Sequence, residues 1–294
     1  MGYRRPVTRD GEPIDLLHLG LPRSIGAYLV ETDDGLALFD CGPATCLPAL
    51  VAGLGERGIG LADVRHILLS HIHLDHAGAA GAIVRDHPHV QVHVSGVGAP
   101  HVVDPSRLEA SARRLYGATF DRLWGSLLPV PEANVHVVGD EVLGLACFAT
   151  PGHAWHHVSY LHRDGTLYSG DVAGCRFAPG SFVLPPLPPP EIDLDAWDAS
   201  IDEIERRAPE RLALIHYGVY DDVRPHLARL QATLHRWAGW SADGLDEEAF
   251  AAAVRDDLES AGDTDAEHYL EVVPAWHAFR GLERYWRKRR EAAL

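Results

Sequence analysis

Lysine is all but missing from this 294-residue chain: Lys288 is the single example among 26 basic residues. A phosphate-cradling loop ending in lysine therefore has no candidate upstream of that position, and Schiff-base chemistry has almost none. Cysteine is scarce too. Cys41, Cys46, Cys147 and Cys175 make neither a disulfide framework nor a CxxC zinc pair, and are expected to be small core residues. No apolar run approaches the ~18 residues of a membrane span, and the opening MGYRRPVTRDGEPID lacks the apolar stretch of a secretion signal. The expected setting is the cytoplasm, with no membrane partner. Positive charge is also short: 42 acidic residues bring the formal net charge to −16, which repels phosphate backbones, so no nucleic acid partner is expected. A GxSxG elbow is absent as well, leaving a serine hydrolase without a nucleophile.

What is present is an ordinary soluble composition, 46% hydrophobic and 23% charged, with one anomaly, 19 histidines. Strand and helix patterns alternate over the first 220 residues, the sign of an α/β fold. Strand-like stretches at 14–20, 25–31 and 36–40 open the chain. A helical pattern follows at 44–57, then a strand at 64–70, a helix at 77–86 and a strand at 89–95. The pattern PSRLEASARRLY after Asp104 begins a helical insertion spanning about 96–131. Further strands are expected at 134–138, 141–150, 157–162, 166–169 and 212–216, with a helix at 196–207. The proline-rich stretch 177–190 is expected to run extended along the surface, because proline lacks a backbone donor. From 221 to 294 only helical periodicity remains: Val223, Leu227, Leu230, Leu234 and Trp237 share one face. The division is thus 1–220 as a catalytic region and 221–294 as a helical extension packed on it, serving as a lid, as the contact of a homodimer or as a separate domain.

Chemistry concentrates directly after the strand VRHILLS, where His71-Ile72-His73-Leu74-Asp75-His76 places four metal-ligating side chains within six residues. In an extended loop alternate side chains share a face, so His71 and His73 can address one ion while Asp75 and His76, at the turn into a helix, address a neighbour. Asp75 is alternatively placed to cap that helix. Three more candidates stand at strand ends: His153 after LACFATPG, Asp171 after TLYSG and His216 after LALI. Each alone could be a turn or core residue; together they point to convergence on one site.

HIHLDH, TPGH, SGD and IHYG, in that order and preceded by Asp40-Cys41-Gly42, resemble the metallo-β-lactamase superfamily over about residues 14–219. The resemblance implies an αββα sandwich with metals at the edge between the sheets. It implies that His71, His73 and His153 bind one ion, that Asp75, His76 and His216 bind a second, that Asp171 bridges them, and that Asp40 orients the loop from behind. With Asp75 and no cysteine at the second position, the chain is more similar to glyoxalase II-like and lactonase-like hydrolases than to β-lactamases.

The chemistry expected of such a site is hydrolysis of a small ester, thioester or lactone. Two ions roughly 3.5–4 Å apart share a water, lower its pKa and hold the bridging hydroxide against a polarised carbonyl. Asp75 and Asp171 are the carboxylates involved, with Asp171 able to assist the leaving group. Zinc suits these ligands, and iron or manganese would also be accepted. Two other reactions use parts of the same set: persulfide oxygenation at a single iron, and phosphodiester cleavage, which the −16 charge disfavours. Arg176 and Tyr217 are candidate substrate contacts by proximity, and His156 and His157 candidate outer-sphere groups. Gly53–Gly58 matches GxGxxG but ends a helix, so no dinucleotide is expected. RYWRKRR, at 284–290, suits a solvated helix end.

Overall fold

Alternating apolar residues build two six-stranded sheets in the computed structural model, which describes residues 11–262 and 264–292. Residues 1–10 of the expected catalytic region, and 293–294 of the extension, lie outside the described residues. The first sheet holds β1 (Ile14–Asp15), β2 (Gly26–Thr32), β3 (Gly35–Phe39), β4 (Val64–Leu68), β5 (Gln91–Val94) and β6 (Val135–Val137), neighbouring one another in chain order. β1, β2 and β3 pair antiparallel, and β3 to β6 are parallel. The second sheet runs β12 (Gly218–Tyr220), β11 (Arg211–Leu214), β10 (Thr166–Gly170), β9 (Val158–Leu161), β8 (Leu145–Ala149) and β7 (Glu141–Val142).

Period-two patterning assigns the faces. On β8 to β11, Leu145, Cys147, Val158, Tyr160 and Ala213 join the core between the sheets, whereas Phe148, Leu167, Leu212 and Leu214 face the opposite side. Across the inner layer Phe39 meets Tyr160 and Tyr168, with ring centroids 5.9 and 5.3 Å apart. The buried hydroxyls are satisfied from one sheet to the other: Tyr28 donates to the Leu214 carbonyl at 2.8 Å and Tyr160 to that of Leu69 at 3.0 Å.

Helices cover both outer faces. α1 (Leu47–Glu56), α2 (Leu74–Ala77) and α3 (Ala80–Asp86) lie along the first sheet's half of the chain, and the insertion supplies α4 (Ala99–Val103), α5 (Ser106–Tyr116) and α6 (Phe120–Trp124). α7 (Leu194–Arg207), capped by Asp193 accepting from the Ala196 amide at 2.9 Å, packs on the second sheet with α8 (Val223–Ala242), α9 (Glu247–Ser260), α10 (Ala266–Val272) and α11 (Ala275–Ala292). The layering is therefore αββα with a C-terminal helical region. All four cysteines are buried and free.

Several expectations change. The first strand stops at Asp15, because Leu17 and Leu19 take left-handed φ values of 47° and 56° and the chain turns. The stretch 141–150 is a hairpin, bent at Leu143 and Gly144, both with positive φ. β12 was not foreseen. Most significantly, the proline-rich stretch is no surface ribbon: residues 182–187 are buried between the second sheet and the C-terminal helices. α11 approaches it closely at Gly281, where a Cβ would overlap the Leu187 carbonyl oxygen.

Candidate metal centre

Strand direction explains why distant residues meet. β9 is antiparallel to both β8 and β10, and β11 is parallel to β10, so β8, β10 and β11 run the same way. Their C-terminal ends deliver His153, Asp171 and His216 to one rim. The end of β4 is joined to that rim by the Val158 amide donating to the Ser70 carbonyl at 2.8 Å, which brings the His71–His76 loop over the second sheet.

His71 Nε2 and His153 Nε2 each lie 2.9 Å from His73 Nδ1. His216 Nε2 lies 3.5 Å from Asp75 Oδ2, and His76 Nε2 lies 3.7 Å from the same oxygen. Asp171 stands between the two groups, with Oδ2 at 3.4 Å from His153 Nε2 and Oδ1 at 3.2 Å from His76 Nε2 and 3.7 Å from His216 Nε2. Three overlapping triads result, His71/His73/His153, His71/His76/Asp171 and Asp75/His76/His216, each with its donor atoms within 4.8 Å of one another. All seven residues named from the sequence are thus brought together. Asp75 does not cap α2; His73 occupies the N-cap position and leaves Asp75 in the first turn, facing His216.

The outer ring nitrogens show what the inner ones are for. His153 Nδ1 donates to the Pro186 carbonyl at 2.8 Å, His216 Nδ1 to that of Ser24 at 2.7 Å, and His76 Nδ1 to Asp40 Oδ2 at 2.7 Å. Ser70 Oγ donates to Asp40 Oδ2 at 2.7 Å and so accepts from His71 Nδ1 at 2.9 Å. With those protons fixed outward, the Nε2 lone pairs of His71, His76, His153 and His216 point into the cluster. His76 Nε2 and Asp171 Oδ1 are buried without a hydrogen-bond partner. Among the described residues no arginine or lysine pairs with Asp40, Asp75 or Asp171. Buried carboxylates facing imidazole lone pairs, with no fixed cation, fit divalent metal ions.

Titration follows the same arrangement. Burial, reinforced by the neighbouring imidazoles, holds His71 well below its usual pKa and His73 down to about 3. Burial also lowers His153 despite Asp171. At His76 and His216 burial is outweighed, chiefly by Asp171 and Asp75, and both are raised, so a proton competes with a metal ion for each Nε2. The same contacts outweigh burial at Asp171 and Asp75 and hold both carboxyls below the usual range.

Supporting groups carried weaker signals. Asp40 takes φ 52° at the end of β3, a left-handed conformation that aspartate tolerates, and so aims its carboxylate at the Ser70 amide as well, at 2.8 Å. Ser70 was not singled out from sequence, since a serine closing a strand is commonplace. His157 binds Thr150 Oγ1 at 2.8 Å and accepts from the Asp171 amide at 3.1 Å, positioning the central carboxylate. That approach requires Gly170, at φ 54°, where a Cβ would meet His157 and Ser70 at 2.6 Å.

A chamber of about 860 Å³ opens over the cluster, walled by the insertion, the 186–191 segment and the α10–α11 region. His73, Asp75, His153, Asp171 and His216 line it, as does His156. Arg176 and Tyr217 do not. Arg176 is turned away by the chain reversal that pairs Cys175 with Leu184; it binds Asp222 at 2.7 Å and lies 4.2 Å from the Tyr220 ring centroid. Tyr217 packs against the outer core of the second sheet. The expectation that these two contact substrate is therefore withdrawn.

Comparison with known proteins agrees with this fold. The family model described as "Metallo-beta-lactamase superfamily" matches residues 21–219. YobT of Bacillus subtilis (strain 168) is 27% identical over 156 residues, 52% of this chain and 63% of that protein. The metallo-beta-lactamase fold-containing protein ST1585 of Sulfurisphaera tokodaii is 28% identical over 163 residues, 52% of this chain and 60% of that protein. These matches thus span about three fifths of the relatives' own length. Among solved structures, TTHA1623 in a di-iron-bound form superposes with a TM-score of 0.55 at 26% identity, covering 74% of this chain and 95% of that one.

Proposed function

Because the chain belongs to the metallo-beta-lactamase superfamily, whose members are generally metal-dependent hydrolases that bind divalent ions, often two, we propose that it is a dinuclear metal hydrolase of a small ester, thioester or lactone. The observation that carries this reading is the orientation of the histidines: outer nitrogens tied to protein acceptors, inner lone pairs turned toward Asp75 and Asp171.

His71, His73 and His153 would hold one ion, and Asp75, His76 and His216 the other, with Asp171 shared between them. Divalent ions at these positions supply Lewis acidity toward a carbonyl oxygen and acidify water toward neutral pH. The protein's share is positional. Asp40 and Ser70 hold His71 and His76 in one tautomer, and the Pro186 and Ser24 carbonyls do the same for His153 and His216. Asp75 and Asp171, with depressed pKa values, stay ionised and hold charge; the proton needed by the leaving group then comes from water in the chamber.

The test is a hydrolysis screen over thioesters, lactones, phosphodiesters and lactams with metal counted in parallel, zinc and iron both supplied because TTHA1623 is a di-iron form. Ester, thioester or lactone turnover with about two ions per chain, lost in His71→Ala, supports the reading. One iron per chain with oxygen consumption overturns it in favour of the oxygenase, and turnover of phosphodiesters alone in favour of that chemistry.

A further inference from the structure

Apart from the His/Asp cluster, the chamber wall is mostly apolar, with charge opposite in sign to the chain as a whole. Arg107 and Arg114 of α5, Arg122 of α6 and Arg284 of α11 line it, against Glu191 and Glu271, in a molecule of net charge −16. Among the described residues the guanidinium groups of Arg107, Arg114 and Arg122 have neither a carboxylate within ion-pair distance nor a hydrogen-bond acceptor. Of the acids in the insertion, Glu109 and Asp121 both bind Arg113, at 2.8 and 2.7 Å, and Asp104, which feels the charge of Arg107, accepts from the Ser106 amide at 3.1 Å; Arg113 covers Phe120 and does not line the chamber. Three exposed arginines that a chain rich in acids leaves unpaired, all on one wall of one cavity, form a surface for an anion.

A second observation is independent of charge. Tyr116, Trp124 and His277 line the same chamber. The Trp124 and His277 rings both pack on Tyr116, with centroids 5.2 and 5.9 Å away, so α5, α6 and α11 each contribute a ring to one aromatic wall. These three rings offer a ligand's apolar body an aromatic face to pack on. The volume of about 860 Å³ far exceeds what a minimal ester fills.

We propose that the chamber receives an amphipathic anion: an acyl ester or thioester whose apolar body lies along the aromatic wall and whose carboxylate or phosphate head is held by Arg107, Arg114 and Arg122. The position of the scissile bond at the His/Asp cluster rests on the hydrolase reading; the binding of the anion does not.

Binding of decyl phosphate, decanoate and decanol to the metal-loaded protein, followed through tryptophan fluorescence, to which Trp124 and Trp276 of the chamber wall contribute, tests the proposal. Both anions are expected to bind at least about tenfold more tightly than decanol, the tighter of the two naming the head group, and added salt should weaken them and not decanol. The triple Arg107→Ala/Arg114→Ala/Arg122→Ala variant, or the single Arg122→Glu, should narrow the gap to within about twofold, while Arg113→Ala leaves it intact. Equal binding of anion and alcohol overturns the proposal. So does an anion preference that survives the triple substitution, since the head would then sit on the metal cluster. Anion binding without turnover of any ester would refute the hydrolase reading alone; ester turnover without anion preference would refute this proposal alone.

Discussion

Asp40 and His76 lie 36 positions apart in the chain, and the Asp40 carboxylate accepts from His76 Nδ1 at 2.7 Å while both side chains are fully buried. The contact holds the imidazole with Nε2 toward Asp171 and Asp75, and Ser70 extends the same support to His71.

Asp40→Asn keeps the shape and removes the charge. Metal affinity should fall about 10- to 100-fold, as is usual when the partner of a ligating histidine is changed, with the fold retained. Competition against a graded chelator, beside a circular dichroism spectrum, measures both. Unchanged affinity would mean that Asp40 serves only the loop.

His216→Ala removes a donor from one group of ligands only. Bound metal should drop from about two ions per chain to about one, and kcat/KM on the best ester should fall by about a thousandfold or more. Plasma emission counting of the purified variant decides the first point. Retention of both ions would place His216 outside the coordination sphere.

Gly281→Ala puts a methyl group where α11 meets the Leu187 carbonyl. Overpacking of this kind costs about 1–3 kcal/mol, read as a lower urea midpoint. Because Pro186, next in the chain, orients His153, metal affinity should weaken as well. A variant as stable as the parent would show that the helix simply shifts.

Tyr160→Phe retains the ring against Phe39 but deletes the donor to the Leu69 carbonyl. A stability loss of about 1–3 kcal/mol is expected from the buried acceptor left behind. Chemical denaturation, at constant m-value, measures it.

Acid should weaken the C-terminal packing through His226, which is buried on α8, donates from Nε2 to the Ala173 carbonyl at 2.7 Å and is pushed down to about 4 by burial. The unfolded chain takes up that proton near pH 6.5, so between about 6.5 and 4 the unfolded state binds more protons and stability falls as pH falls. His226→Gln keeps a donor without the titration. Its unfolding free energy should decline less steeply over that window; parallel slopes for the two proteins would refute the assignment.

The ligand motif was legible because metal binding demands particular side chains at short spacing. HIHLDH declares itself in six residues, and His153, Asp171 and His216 follow strands whose apolar alternation is plain. The hidden parts were those in which local pattern and tertiary context diverge. A proline-rich stretch lacks donors and so looks like surface, yet its carbonyls still accept, and Pro186 became a partner of His153 once α11 covered it. Arg176 follows Asp171 by five positions, but a chain reversal sends it to Asp222.

Composition and local spacing alone determined the class of fold, the burial of the cysteines and the seven residues that meet, since hydrophobic period and ligand chemistry are properties of short stretches of chain. Only the tertiary structure decided which nitrogen of each histidine faces inward, which polar atoms line the chamber, and that the insertion and the C-terminal helices enclose it. Those features depend on carbonyls and side chains supplied by elements up to 192 positions away, as between Ser24 and His216. No local pattern encodes such a contact, because it exists only once both sheets have packed.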